Sequence, residues 1–245
     1  MVEISELGRL QIVPEDWKTA LAIVAHPDDI EYGVSSAVAR WTSQGKKIAY
    51  VLLTRGEAGI DGMPPQEAGA LREKEERESA KVVGVNVVEF LDYQDGVIEY
   101  SLMLRKDLAR VIRQMCPEII ITINHHLTFG WGTLNMADHR WVGLAVMDAA
   151  RDAGNRWIFP ELLEEGLKPW DGVKMVLVGG SPIPTHGVDV SDFIDRGVAS
   201  LEKHRTYIDS LPVRIEPSDF LRKFASEAGQ RIGCEYAVTF EVITI

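Results

Sequence analysis

The chain has 245 residues, which suits one large domain. Its formal net charge of -11 argues against nucleic acid and anionic membranes as partners, because both need a basic protein surface. No apolar run approaches the roughly 20 residues that cross a bilayer. The N-terminus is acidic and lacks the basic start and apolar core of a signal peptide. We therefore expect a soluble cytoplasmic protein that does not insert into a membrane.

Apolar strand-like runs alternate with amphipathic stretches in the first half of the chain. The pattern predicts strands at 21–25, 47–53 and 87–91, separated by helices at 34–44 and 67–83. The dense charges at 73–78 indicate a solvated helix face. Gly45 and Gly84 follow the two helices, as helix-terminating residues do.

The second half continues the alternation and then departs from it. The pattern predicts helices at 102–115 and 138–152, each followed by a strand, at 119–123 and 174–178. In the C-terminal part of the chain, the pattern predicts helices at 190–207 and 219–231 and a last strand at 236–245. The last segment alternates apolar and polar residues in the way that is typical of an edge strand.

This order of elements predicts an α/β fold with a Rossmann-like, mostly parallel sheet and helices on both faces. A C-terminal helical segment and an edge strand complete it. We treat 1–245 as a single domain, with a core at 18–210 and a C-terminal extension at 211–245. In open α/β sheets, ligands bind beyond the carboxyl ends of the strands, so functional residues are expected there.

A histidine and three carboxylates follow the first predicted strand within six residues, in the sequence Ala25-His26-Pro27-Asp28-Asp29-Ile30-Glu31. Imidazole and carboxylate groups together are typical ligands of zinc and similar divalent ions. A spare carboxylate beside a metal can act as a general base. The alternative is a polar turn in which Asp28 or Asp29 caps the next helix, but a cap needs one carboxylate and no histidine.

A further ligand has to come from elsewhere in the chain. His125 and His126 follow the fourth predicted strand, and Asp138 and His139 lie at the start of the next helix. The helix dipole disfavours imidazolium at that position, and neutral imidazole is the form that binds metal. Asp138 suits the helix N-cap. We therefore predict His26, Asp29 and His139 as ligands of Zn²⁺ or another divalent ion, with a fourth position open for water.

Several motifs resemble those of the PIG-L/LmbE-like zinc-dependent N-deacetylases over roughly residues 18–210. They are Ala25-His26-Pro27-Asp28-Asp29, Thr54-Arg55-Gly56-Glu57-Ala58-Gly59, Asp138-His139, Leu71-Arg72-Glu73 with Gly84-Val85, Phe90-Leu91-Asp92-Tyr93-Gln94-Asp95-Gly96, and Val188-Asp189-Val190-Ser191 with Lys203-His204-Arg205-Thr206-Tyr207. The resemblance implies a hydrolase, specifically an amidohydrolase, that removes acetyl groups from N-acetylglucosamine-type amino sugars. Members of the family often assemble, so a homo-oligomer is one candidate state, and the sequence leaves the oligomeric state open.

Residue roles follow from the same resemblance. It implies zinc ligation by His26, Asp29 and His139, with Asp28 as the base that deprotonates the zinc-bound water. Two residues, Arg55 and Asp95, match family positions near the substrate pocket. Purely structural roles remain open for both residues. Arg55 can equally pair with Glu57 or Asp61, and Asp95, which precedes a glycine, can be a turn residue.

One position departs from the family pattern. The family has a His-Pro-Asp-His sequence and a tyrosine-containing loop before the third ligand, whereas here Met136 occupies the position of the first histidine. In the family, these groups help to stabilise the oxyanion or to protonate the leaving amine, and losing one oxyanion donor costs on the order of 100-fold in rate. His186 is a candidate catalytic substitute in the loop after the fifth predicted strand. His126 is a candidate substrate-binding residue, and His125 is a further substitute.

The leading hypothesis is a zinc-dependent hydrolase that removes an N-acyl group, N-acetyl by expectation, from an amino sugar or glycosylated small molecule. The alternative is a metal-containing, catalytically weakened binding protein of the same fold, which Met136 motivates. A nucleotide-binding protein is disfavoured, because the turn after the first strand has neither a G-x-G-x-x-G nor a P-loop sequence. The sequence does not identify the sugar, the acyl group or the aglycone.

Overall fold

The computed structural model describes residues 8–130, 132–213 and 215–245. The described strands form one sheet in the order β1-β7-β8-β6-β5-β2-β3-β4. Their bounds are β1 (Gln11–Ile12), β2 (Thr19–Val24), β3 (Lys47–Leu52), β4 (Val87–Phe90), β5 (Ile119–Ile123), β6 (Met175–Gly179), β7 (His186–Asp189) and β8 (Ala237–Thr244). Strands β4, β3, β2, β5 and β6 are parallel neighbours, which the alternation of strands and helices predicts.

Helices connect these strands and cover the sheet. Their bounds are α1 (Asp29–Gly33), α2 (Ser35–Ser43), α3 (Pro65–Val82), α4 (Leu102–Met115), α5 (Ala137–Gly154), α6 (Glu161–Glu164), α7 (Ile194–Leu201), α8 (Arg205–Ser210) and α9 (Pro217–Gln230). A short 3-10 helix at Glu202–His204 joins α7 to α8, so the predicted helix over 190–207 is divided into three pieces. None of the helices in the described ranges is long and apolar enough to cross a bilayer.

Two apolar cores lie on opposite faces of the sheet. Alternate β2 residues enter different cores, with Ala22 and Val24 in one and Leu21 and Ile23 in the other. The first core includes residues of α2 and α3, and the second includes residues of α4 and α5. A strand buried on both faces needs an apolar residue at every position, which explains the continuous apolar run of β2. The predicted α/β fold with helices on both faces is confirmed.

The C-terminal strand does not lie at an edge, and this part of the prediction is wrong. Strand β8 lies between β6 and β7 and is antiparallel to both. Its Phe240 is fully buried between the core residues of the first face. Alternation along a strand reports which faces its residues point to, and it carries no information about how many neighbours the strand has.

The sheet topology determines where the site forms. Strand β2 is central, and the chain turns from its carboxyl end directly into α1. Because the strands around it are parallel, the carboxyl ends of β5 and β6 reach the same edge of the sheet on one side, and those of β3 and β4 reach it on the other. The loops after all five strands can therefore contribute side chains to one point.

Candidate active site

Three side chains converge beyond the carboxyl end of β2. His26 Nδ1 lies 3.3 Å from His139 Nε2, and an oxygen of Asp29 lies 3.1 Å from the same His139 atom. The other Asp29 oxygen is 3.7 Å from His26 Nδ1 and accepts hydrogen bonds from the backbone N–H groups of Ala25 and His26. All three predicted ligands therefore present one atom each to a common point.

Hydrogen bonds on the far side of each imidazole determine which ring nitrogen is free. His139 Nδ1 lies 3.0 Å from Asn135 Oδ1, and this amide oxygen can only accept. His26 Nε2 lies 3.0 Å from a carboxylate oxygen of Asp95 and 3.2 Å from one of Asp138. In the neutral form of each ring, the proton would lie on this outer nitrogen, which leaves the inner nitrogen available to a metal ion. This donor arrangement fits a divalent metal ion.

The electrostatics of the cluster also favour a cation. Burial lowers the pKa of His26, but hydrogen bonds with Asp138, Asp29 and Asp95 raise it well above its usual range. Burial raises the pKa of Asp29, but the charge of His139 and the hydrogen bonds of both histidines lower it well below its usual range. Asp29 is thus ionised, and the surrounding carboxylates supply negative charge for a bound metal.

Asp138 supports the site rather than capping a helix. Its carboxylate accepts backbone N–H bonds from Gly96 at 2.8 Å and from Ile98 at 3.1 Å, while it also contacts His26. The N-cap of α5 is Met136, which makes no side-chain cap bond, so the predicted N-cap role of Asp138 is wrong. Asp138 instead connects the segment after β4 to His26, the first predicted ligand.

Asp28 occupies the turn between β2 and α1 in a strained conformation. Its φ of 96° lies in the left-handed region, which costs free energy for a residue other than glycine. Two side chains of α3 hold this turn. Arg72 donates to the carbonyl of Pro27 at 2.5 Å and lies 3.2 Å from the Asp28 carboxylate, and Glu76 accepts from the Asp28 N–H at 3.3 Å. Burial raises the pKa of Asp28 to about 6, although the Arg72 charge opposes this shift.

The charged run on α3 is only partly a solvated face. Glu75 and Glu76 are buried, whereas Lys74 is exposed, so the prediction is wrong for two residues of the run. Glu76 faces the turn of Asp28, and Glu31 and His204 lie beside it in the interior. Their placement depends on contacts between α1, α3 and the 3-10 helix, which the local charge pattern does not encode.

A cavity of about 530 Å³ opens beside the cluster, within the usual size range of small-molecule sites. Its walls include Asp28 and all three converging side chains. Met136 also lines it and is 52% exposed. The methionine at the position where the resemblance implies a histidine therefore reaches the cavity, but its thioether carries no hydrogen-bond donor.

Among the remaining predicted site residues, Asp95 reaches the cavity and Arg55 lies outside its lining. Asp95 contacts His26 and accepts from the N–H of Ala58 at 2.8 Å, so it positions a predicted ligand residue. Arg55 is half-exposed and pairs with Glu73 at 2.8 Å and Asp92 at 2.9 Å. The guanidinium therefore pairs with neither Glu57 nor Asp61, although the Arg55 backbone N–H donates to the Glu57 carboxylate at 3.2 Å.

The candidate substitutes for the missing histidine lie elsewhere. His126 pairs with Glu241 at 2.8 Å, and the adjacent His125 ring packs against it at a centroid distance of 4.2 Å. His186 is the first residue of β7, where it contacts the Thr185 hydroxyl at 2.8 Å. The lining of the cavity, as far as the described residues define it, contains none of the three. The structure therefore does not bring them to the predicted ligands.

Comparisons with known proteins identify a family and several named proteins to which the chain is similar. Residues 21–150 match the model of the PIG-L family, described as GlcNAc-PI de-N-acetylase. The chain is 31% identical over 228 residues to diacetylchitobiose deacetylase of Thermococcus kodakarensis. The aligned region covers 91% of this chain and 82% of that relative. It is 29% identical over 136 residues to a probable N-acetyl-alpha-D-glucosaminyl L-malate deacetylase 2 of Bacillus anthracis, which covers 53% of this chain and 58% of that protein.

A solved structure shares the whole architecture. N,N'-diacetylchitobiose deacetylase from Pyrococcus horikoshii superposes on this chain with a TM-score of 0.85 at 27% sequence identity. The superposed region covers 94% of this chain and 85% of that chain. The family match runs from within β2 to near the end of α5 and therefore contains all three converging side chains and Asp28. The chain belongs to the PIG-L family, and its relatives named above are deacetylases.

Proposed function

We propose that the protein is a metal-dependent amidohydrolase that removes an N-acyl group, with N-acetyl as the first candidate, from an amino sugar or glycosylated small molecule. The observation that carries this proposal is the convergence of His26, Asp29 and His139 beside Asp28 in one cavity. The deacetylase activities of the relatives supply the reaction class.

The proposed cofactor is Zn²⁺, which His26, Asp29 and His139 would hold. Two imidazoles and one carboxylate with an open fourth position are typical of catalytic zinc, and other divalent ions remain compatible with this donor set. When bound, the metal supplies Lewis-acid activation of a water molecule and of the acyl carbonyl.

Asp28 is the proposed general base. Its carboxylate lines the cavity next to the ligand Asp29, and Arg72 and Glu76 fix its turn from the side of α3. It takes a proton from the attacking water and returns it to the amine that leaves when the tetrahedral intermediate collapses. Asn135 and Asp95 keep the two imidazoles in the orientation that metal binding requires.

A second candidate function is a metal-containing binding protein with weakened catalysis. The observation that favours it is Met136, whose exposed side chain lines the cavity and provides no donor for a developing oxyanion. Such a protein binds the amino sugar but releases little or no acid.

Acetate release separates the two candidates. Zinc-loaded protein is incubated with N-acetylglucosamine and N,N'-diacetylchitobiose, and both the acetate and the free amine are quantified, with the Asp28→Asn variant as the control. The proposed function predicts equal amounts of acid and amine from the wild type and strongly reduced amounts from the variant. Saturable sugar binding without acid release supports the second candidate and contradicts the first.

A further inference from the structure

A second group of metal-binding side chains lies away from the three that converge in the cavity. His125 and His126 follow β5, and Glu241 belongs to β8, two strands further along the sheet. Each of these residues offers one ligand atom, and the three atoms lie within 4.8 Å of one another. The cavity lining, where the structure describes it, contains none of the three, so the proposed hydrolysis does not account for them.

The sheet brings these two chain segments together. Ile123, the last residue of β5, pairs with Gly179 of β6, and Gly179 pairs in turn with Phe240 of β8. Phe240 enters the core that contains residues of α2 and α3. Because successive strand residues point to opposite faces, Glu241 faces the side of the sheet that α4 and α5 cover. The cluster therefore forms on the α5 side, at the carboxyl end of β5.

The loop that carries the two histidines is held by the protein itself. The His126 N–H donates to Asn124 Oδ1 at 2.9 Å, and the Asn135 side-chain amide donates to the His126 carbonyl at 3.0 Å. Gly143 of α5 allows the loop to approach the helix, because a Cβ at this position would lie 2.8 Å from the His125 Cβ. The backbone of both histidines is thus fixed, which lowers the entropic cost of binding a metal ion.

The cluster contains more nitrogen donors than a simple ion pair needs. His126 Nε2 lies 2.8 Å from a Glu241 oxygen, and the same oxygen accepts from the Ser181 hydroxyl at 2.7 Å. The His125 ring packs against the His126 ring at a centroid distance of 4.2 Å, and its Nδ1 is buried without a hydrogen-bond partner among the described residues. Burial and the His126 charge lower the pKa of His125, so its imidazole is neutral at pH 7, the form that binds metal.

Two imidazoles and one carboxylate select a particular class of cation. Imidazole suits zinc, copper and nickel, whereas Mg²⁺ and Ca²⁺ prefer oxygen ligands. Zinc–ligand bonds of about 2.0–2.2 Å separate the donor atoms of a tetrahedral site by roughly 3.4 Å. The contact between His126 and Glu241 is shorter than this and has to open slightly around an ion. The His126 side chain is 27% exposed, so water can supply the fourth ligand.

We propose that His125, His126 and Glu241 form a second divalent-cation site, which binds Zn²⁺ and links the loop after β5 to the C-terminal strand β8. The site is independent of the proposed hydrolytic function, because it shares no ligand with the cavity cluster. Its affinity for zinc is lower than that of the cavity cluster, since the ion has to displace the hydrogen bond between His126 and Glu241. The rate of hydrolysis therefore saturates with the first equivalent of zinc, and the second binds without raising it.

The test is a calorimetric zinc titration of the metal-free protein in an excess of Mg²⁺, which competes at surface sites made of carboxylate oxygens alone. We expect two zinc ions per chain in the wild type and one in Glu241→Gln, whose affinity at the second site should fall about 100-fold or more. Glutamine has nearly the same shape and keeps an oxygen that accepts from the Ser181 hydroxyl, so the loss does not come from a disturbed fold.

Three histidine variants locate the two ions. His126→Ala removes a proposed ligand and should bind one ion, and His139→Ala removes a ligand of the cavity cluster and should also bind one. His186→Ala is the matched control, because His186 contacts Thr185 and belongs to neither cluster, and it should bind two. The second equivalent of zinc should also raise the unfolding temperature of the wild type and leave that of Glu241→Gln unchanged.

The counts separate a failure of this inference from a failure of the proposed function. One ion in both the wild type and Glu241→Gln, with none in His139→Ala, overturns the second site and leaves the cavity site in place. One ion in the wild type and none in Glu241→Gln, without acetate release, overturns the proposed centre in the cavity and leaves the second site in place. Two ions in the wild type, in Glu241→Gln and in His126→Ala show that the additional ion binds elsewhere, and this result also overturns the second site.

Discussion

Asn135 offers a sharp test of how the site selects its metal-binding form. Its side chain is 2% exposed, and its amide nitrogen donates to the carbonyls of Asn124 at 2.7 Å and His126 at 3.0 Å. The amide oxygen accepts from the Met136 N–H at 2.8 Å and faces His139 Nδ1 at 3.0 Å. The two carbonyls fix the orientation of the amide, and the amide in turn holds the proton of His139 on Nδ1.

Two substitutions separate this role from the support of the loop. Asn135→Leu removes the acceptor and both donors, whereas Asn135→Asp keeps an acceptor for His139 and loses the donors. Both variants leave buried carbonyls without partners, so the free energy of unfolding should fall by about 3 kcal/mol in each. Only Asn135→Leu loses the tautomer control, and this should weaken zinc binding about 10- to 100-fold, which corresponds to about 1.4–2.8 kcal/mol.

Zinc affinity is measured by competition with a chromogenic chelator, and stability by chemical denaturation of the metal-free proteins. The expected result is that both variants lose stability while Asn135→Asp keeps its zinc affinity. If Asn135→Leu binds zinc within about threefold of the wild type, the account of the His139 tautomer is refuted. Equal losses of zinc affinity in both variants would show that loop destabilisation alone weakens the site.

Three further substitutions probe the chemistry. Asp28→Asn should keep its zinc but lower kcat about 100- to 10,000-fold, because the amide cannot take the proton of the attacking water; an unchanged kcat excludes Asp28 as the base. Met136→His should raise kcat on the order of tenfold or more by supplying a donor at the cavity wall, as acetate release reports, and a kcat equal to or below that of the wild type contradicts this reasoning. His186→Ala should change kcat/KM by less than about twofold, because β7 places this residue outside the described lining of the cavity; a tenfold loss would show that His186 acts in the reaction.

The fold was predictable because its signals are local. Strands β2 and β5 are continuous apolar runs, and the predicted bounds 119–123 and 102–115 coincide with β5 and α4. The segment from His26 to Asp29 directly follows a predicted buried strand, and ligands bind beyond the carboxyl ends of such strands. The sequence therefore predicted the edge of the sheet at which the cavity lies. The order of the last strands was not predictable, because β8 inserts between β6 and β7 through contacts that its alternation does not specify.

The supporting residues of the site were missed because their partners are distant in the chain. Asp138 contacts the backbone of Gly96 and Ile98 about forty positions earlier, and Glu76 holds a turn that lies 48 positions before it. In the sequence, one resembles a helix cap and the other a solvated helix residue. His186 shows the same dependence on distant contacts, because the sequence predicts a loop at this histidine and the structure places it at the start of the short strand β7.

The central claim is that one metal ion at His26, Asp29 and His139 supports amide hydrolysis in this cavity. The most direct measurement is acetate release from N,N'-diacetylchitobiose by metal-stripped protein as zinc is added stepwise. The account predicts a rate close to zero without metal, a linear rise, and a plateau at one zinc per chain, with no rise in the His139→Ala variant. A rate that does not depend on added zinc, or an equal rise in that variant, would contradict it.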